Sequence, residues 1–457
     1  MPRLAWLLVL CVACGGDDAL TGDIAERLSQ LEGVTAVEHA ELVPQALAGY
    51  RFFHLTITQP VDHDDPDGPS FTQRATLLHR DDAAPMVLYG GGYFIADVPT
   101  PGRAEPTRIL EANQIVVEHR FFGSSRPEPA DWSTLTIRQG AGDYHRIVEL
   151  GKRLYPGSRW IVTGGSKGGE TAIFHRRFYP DDVDGTVAYV APLVLGAPDD
   201  RFVPYLAAIG PADCRASLAA FQRQALTGWR TELLNQMVAT GFDWNRLGIE
   251  RALEHAVLEL PFALWQYSDV DSCASVTPTT GDAAMAFAFI DVHSQWEMFS
   301  DSSLDRFGPY YFQAAVELGF PLIDESAVSD LLMFPMTDVP AVYSPPGVPT
   351  PYDADAMTDV QDWVRTSGSQ LMFVYGTNDP WSAAEFDLGS AQDSYLYRLE
   401  AGNHGTNIGK LPEPSQSEAV ATVQRWGGLP VPSGKRAAAF GRPGEPDLPE
   451  LRAPLGR

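Results

Sequence analysis

Ser166 has the setting of an acyl-transfer nucleophile. It is the centre of Gly164-Gly165-Ser166-Lys167-Gly168. Arg159 to Thr163, just ahead, is β-branched and apolar and reads as a strand. Gly169 to Tyr179, just behind, reads as a helix stopped by Pro180. A G-x-S-x-G run between a strand and a helix is a nucleophile elbow. Its turn is too tight for side chains beside the serine, so glycines flank it. The helix start behind it favours developing negative charge. The pentapeptide alone is a weak signal in a chain with 41 glycines among 457 residues, and the flanking elements carry the reading.

Two further groups stand in matching places downstream. Leu371 to Tyr375 is a short buried-strand pattern, and Asp379 lies on the loop after it. Tyr395 to Leu399 is the next strand, and His404 lies on the loop after that. In an elbow enzyme the chain order is serine, then acid, then histidine. His404 is then the general base for Ser166, and Asp379 fixes the imidazole tautomer. An acyl-transfer site also needs an oxyanion hole. One donor is the backbone N–H of Lys167. The second is assigned to Gly91, in the glycine run Gly90-Gly91-Gly92 after the strand Met86–Tyr89.

Strands are expected over Arg51–Thr58, Phe71–His79, Met86–Tyr89, Gln114–Glu118, Trp160–Thr163 and Thr186–Val190, with helices such as Ala141–Leu154 between the later ones. Alternating strands and helices imply a mainly parallel sheet. The expected class is an α/β-hydrolase fold. More than two hundred residues separate Ser166 from Asp379, far more than such a core needs. Residues 196–365 are therefore read as an inserted, mainly helical cap, and 51–195 with 366–430 as the core. Residues 15–50 read as an acidic leader and 431–457 as a disordered tail. Trp229, Trp244, Trp265 and Trp296 fall in the cap and are assigned to its core.

Net charge is −26, which argues against nucleic acid, whose phosphates it would repel. The sequence shows no metal-ligand spacing and no phosphate-binding loop, so no cofactor is expected. Arg3 and the apolar run Leu4–Cys14 are too short to span a bilayer and read as a signal peptide. Its end, Leu10-Cys11-Val12-Ala13-Cys14, is like a lipoprotein signal with Cys14 lipidated, the alternative being cleavage and release. The expected location is the bacterial cell envelope, or the periplasm or medium, with the membrane reached only through that anchor. Of four cysteines this leaves Cys214 and Cys273, which are expected to pair in an exported protein.

Several runs carry a family resemblance. They are Gln59-Pro60-Val61-Asp62-His63, Phe71-Thr72-Gln73-Arg74, the stretch from Glu118-His119-Arg120 to Pro127, and Thr163 to Gly169. Tyr189-Val190-Ala191-Pro192, Tyr311 to Gly319 and the two loops of Asp379 and His404 also fit. The chain resembles the secreted bacterial prolyl tripeptidyl and tetrapeptidyl aminopeptidases, serine peptidases related to prolyl carboxypeptidase and dipeptidyl peptidase II. The matches run from about residue 50 to 425. The resemblance implies an exopeptidase that releases tri- or tetrapeptides from free N-termini, with proline near the cleaved bond. Glu170 departs from it, since an apolar residue is expected there.

An aminopeptidase must hold the substrate ammonium at a fixed distance from its nucleophile. Glu118 and Glu317 are the candidate carboxylates, with Glu297 behind them and Gln313 as a further substrate-binding residue. Two other readings stay open: an esterase or lipase on the same fold, and a non-catalytic lipoprotein that binds peptides.

Overall fold

The structure is a computed structural model, and it describes residues 19–430. Nine strands form one sheet: β1 Val34–Glu38, β2 Arg51–Pro60, β3 Ser70–His79, β4 Met86–Gly90, β5 Asn113–Val117, β6 Trp160–Gly165, β7 Gly185–Tyr189, β8 Leu371–Gly376 and β9 Tyr395–Leu399. Their spatial order is β1-β2-β3-β5-β4-β6-β7-β8-β9. The pairs from β1 to β5 across β3 are antiparallel, and every pair from β5 to β9 is parallel.

The core helices are α1 Ile24–Ser29, α2 Glu105–Leu110, α3 Ile137–Leu154 and α4 Lys167–Phe178. The helices that follow β7 are α5 Phe202–Leu206, α6 Ala212–Leu226, α7 Arg230–Ala239, α8 Ile249–Tyr267, α9 Ala283–His293, α10 Asp301–Gln313 and α11 Pro340–Tyr343. α12 Ala354–Ser367 and α13 Ser415–Trp426 come last.

Side chains alternate across the parallel strands, so each strand feeds two cores. Val87, Ile161, Val187 and Met372 face α2 and α13 through Leu110, Val423 and Trp426. The next residue of each strand faces the other way. Leu88 and Val162 meet Tyr144, Ile147 and Val148 of α3. Ala188 and Phe373 meet Ile173 of α4 and Val360 and Val364 of α12. Both faces are covered, which is why these strands are continuous apolar runs.

Helices α6 to α11 build a separate core, in which Phe221, Leu253, Val257, Leu264, Phe289 and Ile290 are buried together. Trp229, Trp244, Trp265 and Trp296 all belong to it. The Cys214–Cys273 disulfide ties the start of α6 to the 3₁₀ turn after α8, with Cα atoms 5.4 Å apart.

Two expected boundaries need correction. Residues 15–50 are not all a leader: β1 pairs with β2 from Val34↔Ile57 to Glu38↔Phe53, and Ile24 and Leu28 of α1 are buried in the sheet core. The pattern there is short and acidic, and only pairing with β2 makes it a strand. Residues 354–365 lie in α12, which packs on α4 and β8 and so belongs to the sheet layers rather than to a cap. Cys14 and the tail 431–457 lie outside the described residues.

Candidate active site

The elbow is built as its glycines require. Ser166 has φ 53° and ψ −130°, a left-handed setting that side chains other than glycine rarely take. A Cβ on Gly168 would lie 2.0 Å from the Gly90 carbonyl oxygen, and one on Gly164 would lie 2.4 Å from both that oxygen and Gly168. The helix start therefore packs directly on the glycine run after β4. Gly91 sits in this contact, its carbonyl carbon 2.9 Å from that same hypothetical Cβ on Gly168. The Lys167 and Gly91 backbones are thus neighbours beside Ser166.

Asp379 and His404 meet across the ends of β8 and β9. His404 Nδ1 lies 2.7 Å from Oδ2 of Asp379, whose side chain is fully buried. Asp379 Oδ1 accepts the Trp381 backbone N–H at 3.2 Å, so the carboxylate is held from both sides. The His404 N–H donates to the carbonyl of Gln266 at the end of α8 (2.9 Å), and its ring stands edge-on to Tyr267. Gln266 and Tyr267 line the cavity to which Ser166 opens. His404 Nε2 is buried and finds no hydrogen-bond partner among the described residues, so its lone pair or proton is uncommitted. The loop carrying His404 is fixed from below by buried Glu105, which accepts from the Ile408 and Gly409 N–H groups at 2.9 and 2.8 Å and from Tyr189 Oη at 2.8 Å.

The cavity lies between sheet and helical cap. Ser166, Lys167 and Glu170 line it from α4, and Glu259, Phe262, Ala263 and Gln266 from α8. Tyr93, Trp381, Tyr310 and Tyr311 close its sides. Burial pushes the Glu170 carboxyl up to about 8 and brings the Lys167 ammonium down to about 7. The Lys167 ammonium rests over the rings of Tyr93 and Phe122, at 5.7 and 5.5 Å.

The carboxylates chosen from sequence are placed elsewhere. Glu118 is fully buried, and both its oxygens are occupied. Oε1 accepts from Ser125 N–H (3.2 Å) and Oγ (2.7 Å), and Oε2 from Ile95 N–H (3.0 Å) and Arg74 (3.1 Å). It does not line the cavity and is a loop brace, not a free amine ligand. Glu317 is not among the lining residues either: its Oε2 accepts the N–H of Ile137 at the start of α3 (2.8 Å), and burial raises its carboxyl to about 7. Gln313 is buried beside the cavity wall without lining it, and Glu297 is exposed. Glu170, read as a departure from the pattern, lines the cavity. Glu259 was not singled out at all. The available signal was helical spacing, since Glu259, Phe262, Ala263 and Gln266 recur at i, i+3, i+4 and i+7.

Three of the runs that carry the resemblance, those of Gln59 and His63, of Gln73 and of Arg120, meet in one buried network. Asp143 of α3 receives Arg120 through Nε (2.8 Å) and Nη2 (2.7 Å), and His63 Nε2 lies 2.8 Å away. Gln59 donates to Gln73 (2.8 Å), and Gln73 to the Glu118 carbonyl (2.9 Å). These residues hold β2, β3 and the loop after β5 against α3. Their task is positioning rather than chemistry.

An elbow serine at the head of a mainly parallel sheet, with an aspartate–histidine pair past the ends of β8 and β9, defines an α/β-hydrolase of the serine-nucleophile class. The chain belongs to the peptidase S37 family, described as PS-10 peptidase S37, which it matches over residues 18–444. It is a serine peptidase. It is 40% identical over 416 residues to a prolyl tri/tetrapeptidyl aminopeptidase of Streptomyces mobaraensis, covering 89% of this chain and 85% of that one. A 94-residue stretch is 35% identical to lysosomal Pro-X carboxypeptidase of Bos taurus, covering 18% of this chain and 19% of that one. Among solved structures, proline iminopeptidase of Mycobacterium smegmatis aligns with TM-score 0.35 and 14% identity, over 81% of this chain and 98% of that one. Esterase Est22 aligns with TM-score 0.37 and 14% identity, over 85% of this chain and 84% of that one.

Proposed function

We propose that this peptidase releases peptides of three or four residues from free N-termini, with proline near the cleaved bond. The observation that carries this is the cavity: the elbow serine opens into a space roofed by helices and lined by two carboxyl groups, Glu170 and Glu259. Such a roof admits a chain end more readily than a loop of folded protein. The identity with the Streptomyces enzyme over most of both chains supports the same substrate class.

In the mechanism, Ser166 Oγ attacks the scissile carbonyl carbon while His404 Nε2 takes its proton. Asp379, bound at Nδ1, stabilises the imidazolium that forms. The carbonyl oxygen becomes an oxyanion, held by the N–H groups of Lys167 and Gly91 and favoured by the start of α4. Collapse breaks the C–N bond, and His404 returns its proton to the leaving amine. Water, deprotonated by His404, then cleaves the Ser166 ester.

The test is a pair of peptides that differ only at the N-terminus, one free and one acetylated. Cleavage of the free peptide alone is expected. Equal cleavage of both overturns the exopeptidase reading. Rapid hydrolysis of long-chain acyl esters with no peptide cleavage moves the assignment to an esterase.

The protein is proposed to be exported and tethered through a lipid on Cys14. Support is the short apolar lead, the small residue Ala13 and the Gly15-Gly16 tether. Expressed with its leader in a bacterium, it is expected in the membrane fraction, and Cys14→Ser is expected to abolish that. A soluble, unmodified N-terminus beyond residue 14 overturns the anchor. Among the described residues no helix is long and apolar enough to cross a membrane.

A further inference from the structure

α8 runs unbroken from Ile249 to Tyr267 although Pro261 lies inside it. Proline cannot donate to the carbonyl of Val257, one turn back, and would leave it unsatisfied. Gln222 of α6 fills that gap, its Nε2 donating to Val257 O at 2.8 Å. The helix therefore continues past Pro261, and four of its residues line the cavity. Its lower end is fixed to the catalytic loop by the 2.9 Å bond from His404 N–H to Gln266 O. Its cavity face carries Gln266, Ala263, Phe262 and then Glu259.

Seven residues separate Gln266 from Glu259. At a rise of 1.5 Å per residue this places Glu259 about 10 Å further along the helix. An extended peptide covers about 3.3 Å per residue, so about 10 Å is the length of three residues.

Glu259 faces a second carboxyl. Behind it is Asp338, buried, and the two carboxyls lie close enough to interact directly. Asp338 Oδ1 also meets Tyr343 Oη at 2.7 Å, while Oδ2 accepts from no N–H or O–H donor. Among the described residues no lysine, arginine or histidine forms an ion pair with either group. Burial raises both, Asp338 to about 7 and Glu259 well above its ordinary value, and the neighbouring Asp338 raises Glu259 further. Two carboxyls facing each other without a cation are costly unless a proton or an incoming cation joins them. A second, independent feature points into the same space: Ser294 lines the cavity, is 3% exposed, and its Oγ has no hydrogen-bond partner among the described residues.

We propose that Glu259, backed by Asp338, binds the N-terminal ammonium of the substrate, with Ser294 Oγ as a further polar contact, and that α8 is the ruler that sets how many residues are released. This rests on the exopeptidase reading and adds to it the residue and the length.

The experiment uses the full chain and a ladder of free-amine peptides with one to five residues ahead of a chromogenic leaving group. Their acetylated counterparts and a small activated ester that does not reach Glu259 complete the set. For the native protein kcat/KM is expected to peak at three or four residues. Glu259→Gln is expected to lower kcat/KM on those peptides about 30- to 100-fold, mostly through KM. The acetylated peptides and the ester are expected to change little. Glu259→Asp, which keeps the charge, should restore part of the loss. In Glu259→Gln with Ala263→Glu the carboxylate moves about 6 Å toward Ser166, and the optimum should shorten by about two residues. An unchanged ratio of free to acetylated cleavage in Glu259→Gln overturns the proposal, as does an equal fall on the ester. If Glu259→Gln does not fold, the native ladder decides: a flat profile, or a peak at one, two or five residues, overturns the ruler. A native protein that cleaves free and acetylated peptides alike overturns the exopeptidase reading instead.

Discussion

The carboxylate of Asp379 and the ring of His404 are joined by a 2.7 Å hydrogen bond at Nδ1, which leaves Nε2 as the atom free to exchange a proton. The bond sets the tautomer, and the His404–Gln266 contact sets the height of the ring above the sheet. Both matter only if Ser166 is the group being deprotonated. Ser166→Ala should cut kcat by about 10⁶ and Asp379→Asn by about 10⁴, with Tm near the native value for Ser166→Ala. Steady-state kinetics with a proline-containing peptide chromophore checks both. Native turnover in Ser166→Ala would remove the mechanism altogether.

Glu170 gives a pH signature. Its carboxyl is held at about 8 by burial, above its ordinary value of 4.5. A raised acid contributes stability that is complete below its unfolded pKa and lost as pH rises through the folded one. The window is therefore about pH 4.5 to 8. Lys167, brought down to about 7, has the opposite slope above that pH, and buried histidines such as His255, held down to about 3, have it below pH 6.5. The comparison is thus between proteins rather than along one curve. Relative to the native protein, Glu170→Gln should gain stability between pH 5 and pH 8, on the order of 2–4 °C in Tm. Thermal melts at pH 5, 6.5 and 8 measure it. A difference that stays constant across the three would mean that Glu170 is ionised throughout.

The disulfide stands close to the site it supports. Cys273 lies in the 3₁₀ turn that follows α8, and Asn403, beside His404, donates to Asp269 at the same turn (3.3 Å). Closing a loop with a sequence separation of 59 residues should stabilise by about 2–4 kcal/mol. Cys214→Ser with Cys273→Ser should lower Tm and also reduce kcat/KM, because the end of α8 then loses its tether. Non-reducing peptide mapping of the native protein should recover the linked pair. Two freely alkylated thiols would refute the bond.

How much of this could be read from the chain follows from how local each signal is. The elbow, the Asp379 loop and the His404 loop each rest on a few consecutive residues: an apolar strand, a turn, then a reactive side chain. The central strands are short continuous apolar runs, buried on both faces, so they were legible too. Glu259 was not, because its meaning depends on α8 lying over Ser166, a contact made only when the cap folds onto the sheet. Glu170 was read as an anomaly for the same reason: a buried carboxyl makes sense only once the cavity is in view. The segment around β1 was missed because a short polar edge strand has no pattern of its own and takes its form from β2. Glu118 shows the reverse error. A glutamate in a distinctive motif suggested a ligand, yet its neighbours Ser125 and Arg74 had already claimed it.

That assignment of Glu118 can be tested directly. Four donors converge on its two oxygens, from Ser125, Ile95 and Arg74, and Gly123 at φ 52° passes so close that a Cβ there would lie 2.5 Å from Oε2. The carboxylate therefore organises the turn that carries Arg120 and the approach to Tyr93, a cavity wall. Glu118→Gln replaces one acceptor oxygen by an NH₂ donor facing N–H groups, leaving a buried donor unsatisfied at a cost of about 1–3 kcal/mol. The expected result is a lower Tm and a modest, uniform fall in kcat/KM on free peptides, acetylated peptides and small esters. The ratio of free to acetylated cleavage should stay at its native value, in contrast to the expected behaviour of Glu259→Gln. A selective loss on free-amine peptides in Glu118→Gln would return the amine site to Glu118.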